Sequence, residues 1–133
     1  MEELRMAVSR LFNSLEFKHV TENNADFLVA NDIKIYCKKS DIKGEKLIWG
    51  VHIRRVKEDS THILFYSNRN KIFFLFDKYL IESWFSSQSS QTIHKGKIIE
   101  NQFKYSAKMI NPNKWLFDFQ GTEFIKEIIP YEM

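Results

Sequence analysis

The chain has one cysteine, Cys37, among its 133 residues, so it can close no internal disulfide and assemble no cysteine-based zinc site by itself. Glycine is scarce as well, at four residues, and none belongs to the glycine-rich loop that cradles phosphates in P-loop enzymes. Histidines 19, 52, 62 and 94 are scattered without the close pair spacing of a histidine metal site. No apolar run approaches the length of a membrane span. The opening "MEELRMAVSRLF" carries acid and lacks the apolar core of a signal peptide, so the expectation is an intracellular, cytoplasmic protein.

What is present is apolar and mildly basic. Hydrophobic residues make up 44% of the chain, enough for one packed core, and a single domain spanning 1–133 is expected. The net charge of +3 does not by itself imply a nucleic-acid partner. The distribution says more. Lys34, Lys38, Lys39, Lys43, Lys46, Arg54, Arg55 and Lys57 crowd a stretch whose only acids are Asp41 and Glu45, which suits either a phosphate-facing surface or a solvated sheet face.

Periodicity orders the elements. Leu4, Val8, Leu11, Phe12 and Leu15 recur at helical spacing over Glu2 to Leu15. "ADFLVANDIKIYCKKS" reads as two strands meeting at Asn31 and Asp32. In "LIWGVHIRRV", Leu47, Trp49, Val51 and Ile53 alternate as a strand, and "THILFYSNRNKIFFLF" reads as a second hairpin of strands buried on both faces. "DKYLIESWF" has helical spacing with Asp77 as its cap, and "SSQSSQ" reads as a connecting loop. Beyond it, "TIHKGKIIENQFKYSAKMI" suggests a strand pair or meander, while "WLFDFQGTEFIKEII" fits either a strand or a short helix. The resulting expectation is an α/β or α+β sandwich: a mixed central sheet flanked by helices, with a core over about 1–85 and a strand-rich extension over about 92–133.

Metal-assisted phosphodiester cleavage needs acidic oxygens to hold magnesium and profits from a lysine near the attacking water. An acid opening one strand, followed on the next by an acid and a lysine two residues apart, would converge on one edge of the sheet, with the latter two on the same face. "NADFLV" and "IKIYCKKS" on these terms resemble the restriction-endonuclease-like, PD-(D/E)XK, superfamily over roughly Glu3 to Phe85. The resemblance implies Asp26 as metal ligand, Lys38 as catalytic lysine and Glu3 as a supporting helical ligand for Mg2+, in proteins that cut DNA and commonly act as homodimers. Tyr36 stands at the degenerate position where the family carries its second acid, and a phenol is a poor magnesium ligand at neutral pH.

Two outcomes follow from that substitution. Either the magnesium site is weakened or lost and the protein binds DNA, or Glu3, Glu16 or Glu45 supplies the missing ligand of an active endonuclease. Lys38, Lys39, Lys43, Arg54, Arg55 and Arg69 are the expected nucleic-acid contacts. A third reading is a protein-interaction module whose exposed apolar patch comes from "WLFDF".

Overall fold

The computed structural model describes residues 1–85, 91–94, 97–100, 102–119 and 125–133, with the side chains of Lys43, Arg54 and Trp84 among those outside the description. The helices are α1 (Glu2–Leu11), α2 (Ile53–Asp59) and α3 (Lys78–Phe85). The strands are β1 (Lys18–Glu22), β2 (Ala25–Ala30), β3 (Ile33–Lys39), β4 (Asp41–Lys43), β5 (Lys46–His52), β6 (His62–Ser67) and β7 (Ile72–Asp77). They continue as β8 (Gln91–His94), β9 (Lys97–Glu100), β10 (Gln102–Asn111), β11 (Lys114–Phe119), β12 (Ile125–Ile128) and β13 (Tyr131–Glu132).

Three layers result. The first sheet runs β1-β2-β3-β6-β7-β13, with β3 and β6 parallel, and the second runs β12-β11-β10-β5-β4. α1 covers one face of the first sheet through Leu4, Ala7 and Val8, which pack on Leu28, Ile35, Cys37, Leu64 and Phe73. The second sheet covers the other face. Strands β2, β3 and β6 are therefore buried on both sides, which is why "HILFY" is apolar at every position after its histidine.

The protein is mostly β, which corrects the expectation of an α/β or α+β sandwich with helices flanking one mixed sheet. The physical reason lies in the C-terminal third. Tyr105 and Ala107 on β10, and Trp115 and Phe117 on β11, occupy alternate positions and turn inward beside Leu47, Trp49 and Val51 of β5. That surface occupies the face a helical layer would have covered. Its centre is aromatic: Phe117 stacks on Trp49 with ring centroids 5.7 Å apart and meets Phe65, Phe74, Phe76 and Tyr105 at 5.2 to 5.9 Å. The chain past Lys97 thus completes the core begun by the first 85 residues, and "WLFDF" contributes its tryptophan and first phenylalanine to the interior.

Local signals set the turns. α1 ends where Asn13 and Ser14 enter the left-handed region, at φ 55° and 64°. Asn23 and Asn24, both at positive φ, close the β1–β2 hairpin in the manner of a two-residue type I′ turn. The strand expected to run through "HIRRV" stops at His52. From Ile53 the chain coils into α2, which places Val56 in the core between the sheets and carries the crossover from the second sheet back to β6. Of "SSQSSQ", only Gln91, the first residue of β8, is described; residues 86–90 lie outside the described residues, as does Gly121.

Candidate functional site

Strand register decides what the "ADFLVANDIKIYCKKS" hairpin can do. Asp26 pairs directly with Cys37, and alternation puts both on the face covered by α1. Tyr36 turns to the opposite face, into the core between the sheets, and Lys38 follows it. The two residues matched to a catalytic pair therefore lie on opposite sides of one sheet. Counting two residues back from Lys38 reaches Tyr36, but the residues that share a face with Asp26 are Cys37 and Lys39.

Among the described residues, neither set gathers further acidic ligands around it. Asp26 accepts hydrogen bonds on one oxygen from Thr21 Oγ1 at 3.1 Å and faces His19 Nε2 at 2.8 Å, so its carboxylate is engaged on the sheet surface. Glu3, on α1, pairs with Lys71 Nζ at 3.3 Å. Lys71 precedes β7, three strands from β2, or about 14 Å at the usual strand spacing. Glu16 is exposed after α1, and Glu45 sits in the β4–β5 turn. Among the described residues, no three histidine, cysteine or acidic side chains gather closely enough to hold an ion.

The Tyr36 side of β3 is electrostatically opposite to a magnesium site. Burial pushes the Tyr36 phenol up to about 12, against the charge of Arg55 and a backbone hydrogen bond from His52. Lys38 is half-buried, its Nζ 5.9 Å from the Tyr36 ring centroid; desolvation lowers its pKa, and Asp41 and Asp26 only partly oppose that shift. His52 is likewise held below the ordinary histidine range by desolvation and by the charges of Lys38 and Arg55. Arg55 is committed locally, donating to Asp59 Oδ2 at 3.2 Å and to the Asn23 carbonyl at 3.0 Å. The bond to Asn23 ties α2 to the β1–β2 turn, and the bond to Asp59, within the helix, orients the guanidinium. Arg55 is thus engaged within the fold and Lys38 is half-buried beside Tyr36, while Lys39 is exposed at the strand end.

A different set of cations comes together on the second sheet. Lys43 of β4 registers with Lys46 of β5, and Lys46 registers with Lys108 of β10. Three lysines thus occupy one cross-strand row on three adjacent strands. The row continues to Leu116 on β11 and reaches an acid only at Glu127 on β12, which is taken by Lys114 at 2.6 Å. Lys46 and Lys108 are exposed. Like charges directly opposite in a sheet repel.

On the other, inward side of the same strands lies a groove of about 410 Å³ between the β4–β5, β6–β7 and β10–β11 turns. Lys46 and Arg69 stand on it, Ile42 and Met109 present apolar side chains, and Trp115 lies at its base. Sequence reasoning named Lys43 and Arg69 but missed Lys46 as a contact, and missed Lys108 altogether. Lys108 lies sixty-two residues beyond Lys46, and only the pairing of β5 with β10 brings the two together.

No family model, curated protein or solved structure matches this chain. No helix among the described residues is long and apolar enough to cross a membrane.

Proposed function

We propose that this protein binds nucleic acid through the outer face of its second sheet and does not cut it. The observation that carries this reading is the row Lys43, Lys46 and Lys108, held in register on adjacent strands with no acid in the row before Glu127. A folded sheet tolerates opposed lysines at a cost, and a polyanion laid across them turns that cost into attraction. Arg69, exposed on the β6–β7 turn and without a carboxylate partner among the described residues, adds a separate cation on the groove side. Cleavage is left out because Asp26 and Lys38 occupy opposite faces and Glu3 is paired three strands away.

The test is fluorescence anisotropy with a labelled DNA oligonucleotide over a range of salt. Three phosphate contacts give a slope of log affinity against log salt of about −2 to −3, and Lys46→Gln reduces its magnitude by roughly 0.7–0.9. Affinity that ignores salt, or that survives Lys46→Gln and Lys108→Gln together, would refute the reading.

A further inference from the structure

We infer that β1 is a self-association edge: two copies of this chain pair their β1 strands antiparallel about a two-fold axis at Val20, joining their first sheets into one. The inference uses no residue of the lysine row and stands or falls apart from nucleic-acid binding.

Strand order leaves β1 at the end of the first sheet, bonded to β2 alone. The β1–β2 hairpin closes through two residues, so the flanking pair Glu22 and Ala25 exchanges backbone hydrogen bonds, and with it every second pair, Val20 with Phe27 and Lys18 with Val29. His19 and Thr21 consequently point their N–H and C=O away from β2. The carbonyls just beyond them are already used: Arg5 donates to that of Phe17 at 3.2 Å and Arg55 to that of Asn23 at 3.0 Å. Between these two bonds, the backbone groups of His19 and Thr21 have no partner among the described residues. An open strand edge is a template for another strand. At five residues β1 is longer than the other sheet-end strands, β4, β12 and β13, and its register runs without a bulge.

The arginines select the register. Centring the axis on His19 sets Thr21 against Phe17, and centring it on Thr21 sets His19 against Asn23, in each case against a carbonyl that an arginine occupies. Centring it on Val20 sets His19 against Thr21 on both sides of the axis, so every unused group finds a mate. The side chains agree. This register brings Lys18 opposite Glu22 of the second copy and Val20 opposite Val20, at the closely spaced sites where cross-strand side chains interact most. Lys18 has no carboxylate partner among the described residues of its own chain, and Glu22 gives Oε2 to Lys34 at 2.9 Å while Oε1 stays open. A lysine alone on an edge strand discourages pairing. A glutamate at its two-fold-related position reverses that effect and makes the strand self-complementary, as an isologous interface requires. Pairing of so short a strand covers less area than a standard stable interface, so the dimer is weak and reversible, with a dissociation constant of about 10–100 μM.

The experiment is sedimentation equilibrium of the full chain, without nucleic acid and at low salt, across that concentration range. The mass should rise from 16.0 kDa toward twice that value. Lys18→Glu and Glu22→Lys each set like charges opposite one another and should weaken association about tenfold. Mixed in equal amounts, these two variants should associate again, because every cross-strand pair is then opposite in sign; the double variant should likewise pair with itself. Thr21→Pro removes an N–H that β2 does not use, and should abolish association while leaving the hairpin paired. Matching thermal melts establish that the variants fold. A chain that stays monomeric throughout overturns the inference, and so does association indifferent to Thr21→Pro or a charge reversal that mixing does not rescue.

Discussion

Replacing Lys38 with methionine should make the protein more stable and leave its nucleic-acid affinity intact. Lys38 sits half-buried above the Tyr36 ring, with no carboxylate within salt-bridge distance among the described residues, and desolvation dominates its lowered pKa. Methionine keeps most of the apolar stem and removes the charge. A cation 5.9 Å from the ring centroid is near the outer limit of a cation–π contact, so its loss costs about 0.5 kcal/mol. Relief of the desolvation penalty, discounted because solvent still reaches the ammonium, returns about 1–2 kcal/mol. The net gain is about 0.5–1.5 kcal/mol, or a rise in Tm of roughly 2–5 °C for a domain of this size.

The same argument fixes the pH dependence. A lysine whose folded-state pKa is lowered binds its proton less tightly in the folded than in the unfolded chain, so its penalty is fully present at neutral pH. The penalty fades as pH rises from the lowered value toward about 10.4. The advantage of Lys38→Met should therefore be constant near neutrality and shrink in that alkaline window. Urea melts of both proteins across pH, with anisotropy titrations alongside, measure all three quantities. A destabilised variant would refute the reasoning, because it would mean the ammonium has a partner strong enough to outweigh its burial; a lost affinity would move the binding surface to the Tyr36 side of β3.

Other consequences follow from the same geometry. Phe117→Ala removes the ring that meets Trp49, Phe65, Phe74, Phe76 and Tyr105, and should cost about 3–5 kcal/mol by chemical denaturation; a loss under about 1.5 kcal/mol would mean the sheets close over the gap. Cys37 is 3% exposed and burial raises its thiol pKa, so a disulfide-exchange reagent at mildly alkaline pH should label it only on unfolding. Rapid labelling of the folded protein would show that α1 lifts from the sheet. Millimolar magnesium should leave the melting temperature of both wild type and Asp26→Ala unchanged; a metal-dependent rise confined to the wild type would restore a metal site at Asp26.

Much of the local structure was legible because it depends on neighbours in sequence. The spacing of Leu4 and Val8 located α1, Asn31 located the β2–β3 turn, and the unbroken apolar run from Ile63 to Tyr66 announced a strand buried on both faces. "HIRRVKED" misled because alternation through Ile53 continued past the point where the chain must leave the second sheet to reach β6. The crossover, not the pattern, ended the strand at His52. The fold class was missed for a related reason. Short apolar pairs such as Tyr105/Ala107 and Trp115/Phe117 are too brief to distinguish a strand that completes a second sheet from a peripheral hairpin.

The candidate site shows the same division more sharply. The resemblance to a nuclease motif rests on counting along one strand, and counting fixes which residues share a face on that strand. It does not fix which face of that strand an acid on its neighbour joins. The register of Asp26 with Cys37 settles that question with a one-residue offset, and one residue in a strand is a change of side. The lysine row is the converse case. Lys43 and Lys46 flank a turn and are close in sequence, but their meaning depends on Lys108, which reaches them only because β10 pairs with β5 along seven residues. A cluster of cations read from composition placed the charge near the hairpin of the first sheet. Pairing of the second sheet moves it to a surface where lysines oppose lysines.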